Sequence, residues 1–131
     1  MRNAVATFTN ETYDEEPYDD RDGTVLGRVH ITRSFEGDLE GESTAELLTA
    51  RVDEGSAAYV ALDRIAGRLH GREGSFVLQH YGVVSPAGAV TAGSVVPYSA
   101  TGELRGLRGE GRISVAGDGT HALTLEYELD E

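Results

Sequence analysis

The feature that most constrains this chain is the two-residue period of its C-terminal segment. His121, Leu123, Leu125, Tyr127 and Leu129 fall on one side, and Ala122, Thr124, Glu126 and Glu128 on the other. This is the alternation of a strand with one face in a core and one in water. Val25 to Phe35 repeats it: Val25, Val29, Ile31 and Phe35 share a face against Arg28, His30, Thr32 and Ser34, with Arg33 on the apolar side. Further strands are expected near residues 4–10, 38–50, 57–69, 74–82, 88–98 and 109–116, about eight in all. The joints carry turn residues, as in Phe35-Glu36-Gly37-Asp38, Asp53-Glu54-Gly55-Ser56, Ser85-Pro86-Ala87-Gly88 and Gly117-Asp118-Gly119, which is the grammar of an antiparallel meander. Ser43 to Val52 is the longest helix candidate, but it has no apolar stripe and is read as strand. The acidic stretch Glu11 to Asp22 is too polar for a strand and is read as an exposed loop.

Eight antiparallel strands without helices must hide their edges, and closure into a barrel does so most simply; a sandwich is the other arrangement. The expected fold is therefore all-β, a closed antiparallel barrel in one domain spanning 1–131. A barrel of this size has an interior that is either just filled by side chains or able to hold one small ligand.

Composition removes whole classes of function. There is no cysteine, hence no disulfide framework, thiolate nucleophile or Cys-based metal site. Eleven basic against 23 acidic residues give a formal net charge of −12, which repels nucleic acid and anionic membranes. Met1 to Thr12 has no apolar signal-like core and no later stretch is long enough to span a bilayer as a helix, so a cytoplasmic location is expected. The histidines at 30, 70, 80 and 121 lack metal-ligand spacing, and the glycines at 102, 106, 109 and 111 lack the Gly-Lys-Ser/Thr ending of a phosphate loop. No cofactor is expected.

Several side chains remain as candidates for chemistry. His80 shares a strand face with Phe76 and Leu78, and histidine exchanges protons readily near neutral pH; a core histidine satisfied by the backbone is the equal alternative. Arg33, on an apolar face, needs either a lumenal carboxylate or a ligand oxygen, unless it snorkels to water at a strand end. Tyr127 and Tyr59 are expected inward, each an apolar ring with a hydroxyl. Gln79 faces away from His80, so only one of the two is lumenal in a regular strand. Glu40, Glu42 and Glu46 share a face, which suggests solvent, and Asp63 beside Arg64 is read as a surface pair.

Three motifs carry a resemblance: Gly37-Asp38-Leu39-Glu40-Gly41-Glu42-Ser43, Gly74-Ser75-Phe76-Val77-Leu78-Gln79-His80, and Thr101 to Gly111 (TGELRGLRGEG). With Tyr13-Asp14-Glu15-Glu16-Pro17-Tyr18, they resemble a family of small bacterial proteins of unknown function whose fold is similar to that of the allene oxide cyclases. The resemblance implies a closed barrel, often in a homo-oligomer, and by distant kinship a lumen that steers a reactive hydrophobic intermediate without a cofactor. It also gives Glu42 a second reading, as a lumenal carboxylate. The chain departs from the family pattern at Ala92-Gly93-Ser94 and at Pro97-Tyr98-Ser99-Ala100, where a Trp and a Gly-Ser-Gly turn are implied. Small residues there are expected to enlarge the lumen, and Tyr98 to narrow its mouth. The functional expectation is thus a cofactor-free cyclase or isomerase acting on a small hydrophobic metabolite, with His80, Arg33 and Tyr127 as catalytic groups. Tyr59, Phe76, Leu78, Tyr98, Glu42 and Gln79 would contact the ligand. A carrier without turnover and a purely structural domain are the alternatives.

Overall fold

The computed structural model describes residues 1–130. Eight strands follow one another: β1 (Arg2–Arg21), β2 (Thr24–Gly37), β3 (Leu39–Val52), β4 (Ala57–Leu69), β5 (Arg72–Ser85), β6 (Gly88–Val95), β7 (Arg108–Val115) and β8 (His121–Glu128), with a single 3₁₀ turn at Gly102–Leu104 between β6 and β7. Each strand is antiparallel to the next, and β8 pairs back onto β1 from Arg2↔Tyr127 to Phe8↔His121, so the sheet closes into a ring. Among the described residues no helix is long and apolar enough to cross a membrane.

The ring closes with a large stagger. Following paired residues once round, Ala4 leads through Leu125, Gly111, Gly93, His80, Ala61, Leu47 and Val29 to Glu15, further along the strand it started from. Such a shear tilts the strands and sets the width of the interior. It also corrects the expectation for Glu11 to Asp22. This stretch is the second half of β1, paired to β2 from Thr12↔Thr32 to Arg21↔Thr24, with irregularities after Asn10 and after Pro17. The stagger carries it beyond the reach of β8 and of the packed core; apart from the partly buried Glu15 and Asp19 its residues are exposed, so neither face needs to be apolar.

Alternation along each strand fills one end of the ring. Phe8, Phe35, Leu39, Ile65, Leu69, Phe76, Leu78, Leu123, Leu125 and Tyr127 form the main core, and Leu104 and Leu107 from the β6–β7 connection are buried with them. That connection first continues along β5, where Val96 N donates to Val77 O and Thr101 N to Ser75 O, before turning inward. Between Ala4, Ala6, Leu39, Leu69, Leu123 and Leu125 there is no room for a water. A second, smaller cluster of Val29, Ile31, Ala45, Leu47 and Ala61 lies further along the same strands.

The β3–β4 pairing depends on two glycines facing each other. A Cβ on Gly41 would collide with the Ala66 carbonyl oxygen, and one on Gly67 with that of Glu40. Neither neighbour is a flexible side chain, so the backbones would have to part. Gly41→Ala is therefore expected to cost about 1–3 kcal/mol, as overpacking does. Gly117→Ala, where an added methyl meets nothing, should be near neutral; urea denaturation of both variants makes the comparison, and equal midpoints would refute it.

Candidate functional site

The four buried polar or charged side chains among the described residues are Arg33, Ser43, Asp63 and His80. They come from four consecutive strands, β2 to β5. On β2, β4 and β5 the polar residue stands next to a main-core residue on one side, Phe35, Ile65 and Leu78, while Ser43 on β3 is separated from Leu39 by Gly41. On the other side lie the second cluster on β2 to β4, and Gly82 on β5. They thus form one polar layer across the ring.

Its centre is a buried ion pair, Arg33 Nη1 to Asp63 Oδ2 at 2.6 Å. Arg33 Nε donates to Asn10 Oδ1 at 3.1 Å, and the guanidinium lies over the Phe8 ring at 5.1 Å. His80 Nε2 approaches the same Asp63 oxygen at 3.4 Å, and His80 Nδ1 meets the Tyr59 hydroxyl at 3.1 Å. With Asp63 ionised, Nε2 carries the proton it shows to the carboxylate; Nδ1 then accepts from Tyr59 O–H. The second Asp63 oxygen and the Ser43 hydroxyl are buried without a well-formed partner, though Ser43 lies close enough to help hold the carboxylate.

Burial by itself pushes the Asp63 carboxyl up, but the His80 bond, the Arg33 charge and Ser43 together outweigh it and leave it below the ordinary carboxylate range. Burial pushes the Tyr59 phenol up, opposed by the Arg33 cation and helped by Asp63, so it stays protonated at neutral pH.

Beyond this layer the interior opens. A cavity of about 300 Å³ is lined by Tyr13, Leu47, Ala57, Tyr59, Val84 and Thr91, among others, and Tyr59 is where it meets the polar layer. The Tyr59 ring lies directly on Gly82, whose missing side chain leaves it that place; a Cβ there would fall 2.5 Å from Tyr59 Cε1. Arg51 Nη2 bonds Glu15 Oε2 at 2.6 Å at the cavity wall, reaching from β3 to β1 over Gly27 of the intervening strand.

Of the expected residues, His80, Arg33 and Tyr59 are brought together. Tyr127 is not: it lies in the main core and bonds His70 Nδ1 through its hydroxyl. Phe76 and Leu78 are in the filled end. Gln79 points outward to Ser94 Oγ, and Glu42 is exposed on the outer face. Tyr98 is fully exposed, with a φ of +67°, on the connection beside β5, so it does not narrow the mouth. Nor do the small residues at 92–94 widen the lumen: Ala92 and Ser94 face outward, and Gly93 is closed over by His80, whose Cβ would lie 2.6 Å from an added one. Asp63 is not a surface residue but the anion of the buried pair. Its signal was available, since Tyr59, Ala61, Asp63 and Ile65 share one strand face; Asn10 and Arg51 gave none, and Tyr13 and Glu15 stood out only as part of a family motif.

The fold and site define a small ring of antiparallel strands, filled at one end, with a buried polar layer under a cavity at the other. Residues 4–127 match the model of a protein family of unknown function, DUF3224, and the chain belongs to that family. It is similar to the crystal structure of a DUF3224 protein of unknown function from Shewanella oneidensis MR-1, at 34% identity and a TM-score of 0.84, covering 100% of this chain and 98% of that one. No curated protein matches the chain.

The polar layer makes a stability prediction. Because the folded-state pKa of Asp63 lies below its unfolded value, its contribution is complete above the ordinary carboxylate range, near pH 4, and is lost as pH falls through the lower folded value. Asp63→Asn leaves the Arg33 cation buried without an anion and is expected to cost about 3–5 kcal/mol at pH 7. Urea unfolding from pH 7 to pH 2.5 should show the difference between wild type and variant shrinking toward the acid end; a constant difference would exclude the ion pair as its source.

Proposed function

We propose that this protein binds a small, mainly apolar molecule in the 300 Å³ cavity and moves a proton on it through Tyr59, as a cofactor-free isomerase or cyclase of the kind the allene oxide cyclase resemblance implies. The observation that carries this reading is the unbroken chain from the cavity wall inward: Tyr59, His80, Asp63 and Arg33. The cavity is at the lower end of the roughly 300–1,000 Å³ range of ligand pockets. Its walls are aromatic, aliphatic and hydroxylic, which suits a compact molecule with one polar group.

In this reading Tyr59 is the catalytic residue. As its oxygen takes a proton from the substrate, its own proton passes to His80 Nδ1, and the reverse transfer returns a proton at another substrate atom. Nothing is oxidised or reduced. Asp63 and Arg33 are positioning residues: the carboxylate fixes the imidazole tautomer and favours the imidazolium while the proton is on it, and Arg33 keeps the carboxylate ionised. Turnover also needs the ligand shielded from water. The half-exposed Tyr13 and Val84 at the rim favour a second reading, a carrier that holds the same class of molecule without converting it.

Binding is read with the neutral fluorophore N-phenyl-1-naphthylamine. Ala57→Phe, which fills the cavity, is expected to weaken it at least about tenfold, while Val60→Glu on the outer face leaves it unchanged; the opposite pattern would move the site out of the lumen. Proton transfer is read with a β,γ-unsaturated cyclic ketone, followed by ultraviolet absorbance as the double bond becomes conjugated. Tyr59→Phe should retain binding and lower the rate about a hundredfold; a wild-type rate equal to buffer would leave the carrier reading.

A further inference from the structure

The two halves of β1 turn opposite sets of residues inward. Residues paired directly across an antiparallel ladder share a face, and Asn10 stands opposite the inward Arg33, in step with Ala4, Ala6 and Phe8. Glu11 is then one residue too many. The ladder resumes with Thr12 opposite Thr32, which sets Tyr13 opposite the buried Ile31 and Glu15 opposite the buried Val29. Such a bulge exchanges the two faces of everything after it. In a regular strand Thr12, Asp14 and Glu16 would point inward; here Tyr13 and Glu15 do. The bulge is pinned on the outer face, where Ser34 Oγ donates to Glu11 Oε1 and the Thr12 and Thr32 hydroxyls meet, each at 2.7 Å.

Tyr13 and Glu15 are thereby aimed at the mouth of the 300 Å³ cavity, where the charged side chains of the lining are Glu15 and Arg51. Arg51 bonds Glu15 Oε2 and leaves Oε1 without a partner among the described residues. Glycine at 27 makes room for that bridge, since a Cβ there would already fall 3.0 Å from Thr49 Oγ1. The Glu15 side chain is 25% exposed and that of Arg51 60%, so the carboxylate is the more enclosed of the two and the guanidinium stands mostly in water. We propose that the cavity selects a ligand bearing an ammonium group, with Glu15 Oε1 accepting its N–H, the Tyr13 ring against the cation, and the apolar body reaching inward toward Tyr59. This rests on the reading of the cavity as a ligand site. A carboxylate beside an aromatic ring favours a cation over a neutral or anionic group. Arg51 does not reverse the preference: it holds Glu15 in place as Arg33 holds Asp63 deeper in the ring, and an anion brought to it would lie against the Glu15 charge.

Three naphthalenes of nearly equal shape test this: 1-ethylnaphthalene, 1-naphthylmethylammonium and 1-naphthoate, whose fluorescence is readily followed because the chain has no tryptophan. The ammonium is expected to bind about tenfold tighter than the neutral compound, and the carboxylate more weakly than either. Glu15→Gln keeps the shape of the side chain and should bring the ammonium to within about twofold of the neutral compound. Glu16→Gln, next along the strand but exposed on the outer face, should leave the order unchanged; near-ultraviolet circular dichroism confirms the native fold of both variants. A preference for the carboxylate overturns the proposal. So does equal binding of all three, or an ammonium preference that survives Glu15→Gln or disappears with Glu16→Gln; in each of these cases the cavity is still a ligand site. Binding of none of the three by the wild-type chain overturns that reading itself, and the proposal with it.

Discussion

The stagger with which the ring closes governs the rest of the molecule. Because the path round the sheet that starts at Ala4 ends at Glu15, no residue on one strand meets only its ladder neighbours inside. The interior contacts run diagonally, so that Arg33 on β2 finds Asp63 on β4, and Tyr59 on β4 finds His80 on β5 at a position that is not its direct partner. A ring with less shear would be narrower and could not hold a guanidinium, a carboxylate and an imidazole side by side. The same stagger lifts the acidic half of β1 clear of the packed core, while Ala4, Ala6 and Phe8 of its first half are buried in it.

A polar layer inside a small domain is a cost that needs a reason. Moving Arg33 and Asp63 out of water is expensive, and their attraction returns only part of that unless every remaining donor and acceptor is satisfied. Here Asp63 Oδ1 and Ser43 Oγ have no well-formed bond beyond the approach of Ser43 to the carboxylate, although an apolar layer of similar volume would have continued the core above and below. Such incomplete satisfaction fits a site more readily than a structural staple. The layer also marks where close packing ends: below it the space between side chains admits no water, and above it the cavity opens. Glycine at 82 belongs to the same arrangement, because any larger residue would displace the Tyr59 ring from the boundary.

The fold was legible wherever one face of a strand was buried and the other wet. β2 and β8 announce themselves by alternation, and the turn residues between strands give their number and order. Arg33 was legible as an anomaly, a cation on an apolar face. Its partner was misread: Asp63 shares a strand face with Tyr59, Ala61 and Ile65, but it stands beside Arg64 in sequence, and the eye pairs neighbours in the chain rather than neighbours across a tilted ring. Tyr127 illustrates the reverse error. Its inward direction was correctly read from the period of β8, but direction says nothing about height along the axis, and that is set by the shear, which no single strand reveals. Tyr98 failed for a related reason, since a loop residue with a left-handed backbone has no periodicity from which to read its direction.

The hardest strand to read was β4. Its first half, Ala57-Ala58-Tyr59-Val60-Ala61-Leu62, is apolar on both faces, so the two-residue period disappears and neither face declares itself the inner one. Loss of alternation is the signature of a strand covered on both sides. Inside, the cover is Leu47, Tyr59 and the wall of the cavity. Outside, the chain itself supplies none, although the rest of its surface is rich in carboxylates. On that side Val60 and Leu62 stay about half exposed, with the charged Glu46 directly beside Leu62 across the β3–β4 ladder. The run that blurs the period of β4 in the sequence thus ends where the period returns, at the buried Asp63 and Ile65.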